Sequence, residues 1–200
     1  MQFFNLNENT FLITWNQNLD SNLTNLLTSY RNIIMSICGD DIQDCVQSIK
    51  SLLVIINNNG SSIKKIIEKI KMIDPKKINI KNTKIKVWKI PVCYDLEFAP
   101  DIKAVSDLNN ISIQDLIEIN LSKTYDVLSM GFLPGFMYLG KTDNRIHCER
   151  KVKPSLNIKK GSIGLALNQT CIYPTESPGG WNIIGCLLYT SPSPRDWMVS

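Results

Sequence analysis

Histidine is nearly missing from this chain, whose 200 residues include one, His147. A zinc site would have to draw cysteine ligands from distant segments, so no metal is expected. The six cysteines (Cys38, Cys45, Cys93, Cys148, Cys171 and Cys186) contain no Cys-x-x-Cys pair. They read as free, buried thiols rather than a disulfide framework. The opening Met1-Gln2-Phe3-Phe4-Asn5 lacks the basic start and apolar core of a signal peptide. No run reaches the ~18 apolar residues of a membrane-spanning helix, so a cytoplasmic chain without a membrane partner is expected. Arginine is nearly absent from the Lys64–Lys89 stretch, which holds most of the lysine. Lysines there alternate with isoleucines as on a solvated face, and the net charge is only +4. A nucleic-acid partner is therefore not expected. ATP is not expected to bind this chain alone.

What is present suits one large or two small soluble domains. The bias towards Ile, Asn and Lys, as in Asn57-Asn58-Asn59, follows A/T-rich codons rather than chemistry. Phe11 to Trp15 predicts a strand, being short, aromatic and β-branched. After a cap at Asp20-Ser21-Asn22, Leu23, Leu26, Leu27, Tyr30, Ile33, Ile34 and Ile37 recur at helical spacing until Gly39. Ile42–Ile49 and Ser51–Ile56 predict two strands, with a turn and cap over Asn57–Ser61. A second helix then turns Ile63, Ile66, Ile67 and Ile70 inward and ends before Pro75. Strand–helix–strand, strand–helix opens a split βαβ, ferredoxin-like layer, which assigns residues 1–82 to an α/β domain.

Asn79 to Lys84 reads as a linker, and the alternating Lys84–Val92 as a half-buried strand. Asp101–Ser106 and Ile113–Asn120 predict helices, the second capped by Ser112 with Asp115 in its first turn. Asp95 and Asp101 could form an acid–base pair, but Asp101 suits a helix cap better. From the strand Tyr125–Ser129 onward, short strands and Gly/Pro turns favour a barrel or sandwich over residues 83–185. Glycine and proline alternate with aromatics from Val127 to Gly185, which describes loops of fixed shape around a surface.

These loops carry a family resemblance. Pro91-Val92-Cys93-Tyr94-Asp95, followed by Phe98-Ala99-Pro100-Asp101, resembles the opening of the C-terminal domain in the family of 5-oxoprolinase B subunits. This is the KipI/PxpB family, also called allophanate hydrolase subunit 1. Four further phrases follow in the family's order. They are Gly131-Phe132-Leu133-Pro134-Gly135-Phe136-x-Tyr138-Leu139-Gly140, Gly161-Ser162-x-Gly164, Gln169-Thr170-x-Ile172-Tyr173-Pro174 and Ser177-Pro178-Gly179-Gly180-Trp181-x-Ile183-Ile184-Gly185.

The resemblance implies an α+β chain, a ferredoxin-like α/β domain followed by a cyclophilin-like β-barrel. It implies one component of the enzyme that opens 5-oxoproline to glutamate with ATP hydrolysis. Its implied partners are a homologue of that enzyme's C subunit and a separate A subunit. ATP would be a co-substrate of that complex, and a small cyclic amide the other substrate. The alternatives that it implies are an inhibitor of a sensor histidine kinase and a module of a urea carboxylase. The chain departs from the family's pattern at Asn120, at Met137, and at Glu149 and Ser155 beside Arg150 and Pro154. After Gly185, Cys186-Leu187-Leu188-Tyr189-Thr190-Ser191-Pro192-Ser193-Pro194 resembles translated adaptor sequence. Residues 186–200 are therefore set apart, and the barrel is expected to be incomplete at its C-terminal end.

Candidate contacts for substrate or partner are Phe132, Pro134, Tyr138, Arg150, Gln169, Thr170, Tyr173, Ser177, Gly179, Gly180 and Trp181. Trp181 after two glycines suits a platform at a surface. Gln169 and Thr170 offer an amide and a hydroxyl to a small amide or to a buried turn. Tyr138 and Tyr173 read as packing residues, and Ser177 has no neighbouring base to make it a nucleophile. Arg150 is the candidate for gripping an anion, while His147 reads as a surface residue. Catalytic residues are not assigned.

Overall fold

A computed structural model describes residues 1–17, 21–57, 62–74, 78 and 86–188. It divides into two compact units, Met1–Ile85 and Lys86–Ser200. Of the expected features, Asp20, most of the Asn57–Ser61 turn and the Asn79–Lys84 linker lie outside the described residues.

The first unit runs β1 (Gln2–Asn5), β2 (Thr10–Thr14), α1 (Ser21–Cys38), β3 (Ile42–Gln47), β4 (Ser51–Ile56) and α2 (Ile63–Lys71). Its strands form an antiparallel sheet in the order β1-β2-β4-β3. Period-2 alternation buries Phe11 and Ile13 of β2 and Leu52, Val54 and Ile56 of β4. They pack with Leu23, Leu27, Tyr30 and Ile34 of α1 and Ile66 and Ile70 of α2. Gly39, at φ 48°, takes the left-handed conformation that stops α1. Ser62 caps α2, its Oγ accepting from the Lys65 N–H at 3.4 Å. Ile37, expected inside, is exposed, because Ile34 and Cys38 hold the buried face there. The strand β1 has no sequence signal, being an edge strand whose Gln2, Phe4 and Asn5 face solvent.

The second unit runs β5 (Val92–Cys93), α3 (Ile102–Leu108), α4 (Ile113–Leu121), β6 (Asp126–Met130), β7 (Met137–Gly140), β8 (Ser155–Ile158), β9 (Ser162–Ala166), β10 (Gln169–Ile172), β11 (Ser177–Gly179) and β12 (Asn182–Leu187). Six strands form an antiparallel sheet ordered β5-β12-β9-β10-β7-β6, and β8 and β11 form a separate ribbon. The large sheet is buried on both faces, so β9 shows no polar alternation. Ile163, Leu165, Ile172 and Met137 pack with Ile102 and Val105 of α3 and Leu116 and Ile119 of α4. On the other face, Ala166 and Cys171 lie with Phe136, Tyr173, Trp181 and Ile158.

Three local expectations need correction. The residues Lys86–Pro91 form no strand and are exposed, leaving only the two residues of β5. A strand needs a ladder, and β5 finds one only against Cys186 and Leu187 of β12. Those two residues, set apart with the tail, are therefore part of the sheet. Asp101 stands at the N-cap position of α3 but makes no side-chain cap. Its carboxylate accepts instead from the Ile183 N–H at 2.7 Å, and Lys151 Nζ lies 2.6 Å away.

A buried amide links the edges of the sheet. Asn120 Nδ2 donates to Tyr94 Oη at 2.9 Å, and Tyr125 Oη donates to Asn120 Oδ1 at 3.0 Å. Tyr94 follows β5 at one edge and Tyr125 precedes β6 at the other. In a flat sheet of six strands those edges would stand about 24 Å apart. Both tyrosines reach one asparagine of α4.

Candidate functional site

The Gly131–Gly140 phrase, the end of β10 and the start of β12 converge on one aromatic wall. Phe136 is its centre. Its ring makes edge contacts with Phe132 at 5.4 Å, Tyr138 at 4.9 Å and Tyr173 at 5.0 Å, and lies 6.3 Å from Trp181. Tilted and edge-on pairs at these separations suit the ring quadrupoles. Tyr138 and Trp181 are 6.1 Å apart, and the Arg150 guanidinium lies over the Trp181 ring at 5.4 Å. Glycine makes this packing possible. A Cβ at Gly164 would come within 2.7 Å of Trp181 Cβ, and a Cβ at Gly179 would overlap Tyr173 Oη.

The candidate residues divide accordingly. Phe132, Tyr138, Arg150, Tyr173, Gly179 and Trp181 come together at the wall. Trp181 is not the surface platform expected, being 4% exposed. The adjacent glycines let the chain close around the indole and leave one contact to an exposed cation. Phe132 is presented outward, 62% exposed and at φ 71°, a conformation that costs a bulky residue on the order of 1–3 kcal/mol. Pro134 is exposed beside it.

Thr170 is already occupied, its Oγ1 donating to the Gly164 carbonyl at 3.0 Å. Gln169 is buried two residues before Cys171 on β10, hence on the wall side of the sheet. Gly180 gives its carbonyl to the Lys151 N–H at 2.8 Å. Ser177 is buried, and neither its Oγ nor Tyr173 Oη has a hydrogen-bond partner among the described residues. Exposed His147 pairs with Glu149 at 3.5 Å. No cluster of three or more His, Cys, Asp or Glu suited to a metal occurs among the described residues. Among them, no helix is long and apolar enough to cross a membrane.

Sequence reasoning misses Phe136 as a site residue although it stands inside the quoted Gly-Phe motif. Only the fold shows that four rings meet on it. The Asn120–Tyr94–Tyr125 bridge is missed as well, since nothing local in sequence connects the three.

The electrostatics are those of a dry wall with one charge at its rim. Burial pushes the Tyr173 hydroxyl and the Cys171 thiol up, opposed in part by Arg150. Burial likewise takes the Cys148 thiol up to about 11. None of these groups is poised as an acid, base or nucleophile near neutral pH. The wall offers the exposed Phe132 and the half-buried Tyr138, a guanidinium at its rim and two unpaired hydroxyls, which suit binding rather than covalent chemistry.

The comparisons decide the family. Residues 1–191 match the family model described as carboxyltransferase domain, subdomain C and D. The chain belongs to that carboxyltransferase-domain family. A curated relative from Bacillus subtilis (strain 168), named as the B subunit of 5-oxoprolinase, is 43% identical over 100 residues. The match covers 50% of this chain and 42% of that relative. This carboxyltransferase-domain chain thus matches less than half the length of its curated relatives. Among solved structures, a conserved uncharacterized protein of Pyrococcus horikoshii is 35% identical with a TM-score of 0.53. That alignment covers 96% of this chain and 88% of the other. The urea amidolyase of K. lactis reaches a TM-score of 0.75 at 16% identity, covering 96% of this chain and 14% of that one, which is a likeness of fold alone.

Proposed function

We propose that the chain is one component of a cytoplasmic, ATP-dependent 5-oxoprolinase, and that the aromatic wall holds the lactam substrate. The observation that carries this reading is the Arg150 guanidinium over Trp181. A planar, always-charged donor at the rim of an aromatic cluster fits a five-membered lactam bearing a carboxylate. The relatives named as 5-oxoprolinase B subunits support it. In this reading Arg150 grips the carboxylate, and Tyr138 and Phe132 flank the ring. Gln169 presents its amide to the lactam from the wall side of β10. ATP supplies the drive for opening the lactam by activating its amide oxygen. We assign ATP binding to the partner chains, a homologue of the C subunit and a separate A subunit.

The finer fold assignment belongs to the same proposal. The order β1-β2-β4-β3 supports a ferredoxin-like first unit with β1 as its outer strand. The six-stranded antiparallel sheet, with Asn120 tying the tyrosines beside its two edge strands, supports a cyclophilin-like barrel for the second. A domain boundary near residue 82 remains part of this reading.

A second reading, an inhibitor that docks on a sensor histidine kinase, draws on the exposed Val127, Met130 and Phe132 along β6 and the loop after it. The two separate in one assay on the reconstituted complex with 5-oxo-L-proline and ATP. Glutamate release should require this chain, and Arg150→Ala should raise KM at least tenfold with a smaller change in kcat. Release undiminished when the chain is omitted would falsify its role in the complex. Suppressed kinase autophosphorylation without lactam turnover would favour the second reading.

A further inference from the structure

The β8–β11 ribbon lies against the wall without joining the large sheet. Its inner face is small. Ile158 of β8 stands opposite buried Ser177 of β11, and after a break in register Gly179 stands opposite Ser155. A Cβ at Gly179 would overlap Tyr173 Oη and come within 2.9 Å of Ile158 Cδ1, so this face is what covers Tyr173. Leu156 and Asn157 of β8 are both exposed, Leu156 at 89%, so none of the described residues covers this stretch of the ribbon. Its polar ties converge on Lys151, whose Nζ donates to Ser155 Oγ at 3.1 Å and whose N–H donates to the Gly180 carbonyl. The adjacent Gly179-Gly180 can absorb a backbone change there.

Two buried hydroxyls oppose this closure. Tyr173 Oη on the wall and Ser177 Oγ on the ribbon are both cut off from water, and among the described residues both lack a hydrogen-bond partner. A buried polar group left unpaired forfeits its hydration, so lowering the ribbon works against two such losses. Lifting it rehydrates both.

We propose that the β8–β11 ribbon is a flap that lifts from the aromatic wall and recloses on a small ligand carrying oxygen acceptors. Tyr173 donates to that ligand from below and Ser177 from above. A carboxylate or lactam carbonyl between them satisfies both hydroxyls, which makes the loaded flap better closed than the empty one. The flap stands on geometry alone; the choice of a lactam carboxylate as its ligand rests on the function proposed above.

The test is backbone hydrogen exchange of the full chain with its partner chains, with and without 5-oxo-L-proline, for wild type, Tyr173→Phe and Ser177→Ala. The amides of β8 and β11 should exchange by local opening, faster than those of β9 and β10. Each substitution removes an unpaired hydroxyl and should slow ribbon exchange by about tenfold. The lactam should protect the wild-type ribbon and lose most of that effect in Tyr173→Phe. Ribbon exchange unchanged or accelerated in both variants overturns the flap, since the hydroxyls then have partners in the closed state. Slowed exchange in the variants with no response to the lactam upholds the flap and removes the lactam reading of the wall.

Discussion

Gly179 and Gly180 are neighbours in sequence but stand under different constraints. A methyl at 179 runs into Tyr173 and Ile158, whereas a methyl at 180 meets nothing closer than the Lys151 carbonyl at 3.7 Å. Gly179→Ala should cost about 1–3 kcal/mol by overpacking, and Gly180→Ala under about 1 kcal/mol, read by denaturant melts of the two variants. Equal losses would contradict the close approach at 179. Asp143 makes a second test, through pH. Its carboxylate accepts from Arg145 Nε at 3.0 Å, from Arg145 Nη2 at 3.2 Å and from the Arg145 N–H at 3.0 Å, with Lys123 3.5 Å away. These partners hold it well below the usual carboxylate range. A depressed folded-state pKa means stability that is present above the unfolded value, near ~4, and lost as pH falls towards the folded one. Asp143→Asn should lower Tm near neutrality, where the wild-type contribution is present, and the two proteins should converge as pH falls below about 4. At this scale the sequence names Phe132, Tyr138 and Arg150, and the fold brings them to one aromatic cluster. The sequence is not legible where burial decides, and Trp181 and Thr170 are packed or already bonded.

The helices are legible as elements because their signals are local. α4 is the best case. Ser112 Oγ accepts from the Asp115 N–H at 3.0 Å while Asp115 Oδ2 accepts from the Ser112 N–H at 3.2 Å, a reciprocal capping box. Ser112→Ala should therefore destabilise the second unit by about 1 kcal/mol, measured as a shift in the denaturation midpoint. An unchanged midpoint would remove the cap from the account. Strands are legible where a short run of β-branched, aromatic or aliphatic residues marks them, as in β2 and β4. The alternation of Lys84–Val92 misleads because pattern says nothing about whether a partner strand is there to receive the ladder. β8 and β11 have no pattern to read, since they are four and three residues long and their register breaks between Ser177 and Gly179.

Across the whole molecule, family and architecture class follow from the order of several weak motifs rather than from any one of them. The match over residues 1–191 takes in both units, including the first, where the motifs are loosest. Pairings between distant segments are beyond sequence reasoning. The Asn120 bridge joins residues 26 and 5 positions apart, and Asp101 meets Ile183 across 82.

That last contact bears on self-association. The Asp101 N–H donates to the Ile183 carbonyl at 2.9 Å while its carboxylate takes the Ile183 N–H, so one residue exchanges both hydrogen bonds that a neighbouring strand would exchange. β5 pairs only with Cys186 and Leu187, and Asp101 occupies Ile183 further along the same edge of β12. Asp101 thus acts as a plug against edge-to-edge growth, a hazard of any open sheet margin. Asp101→Ala should free that margin and make light scattering rise with protein concentration, whereas Asp101→Asn, which keeps an acceptor, should scatter little. A monodisperse Asp101→Ala chain would mean that the edge is guarded by something else.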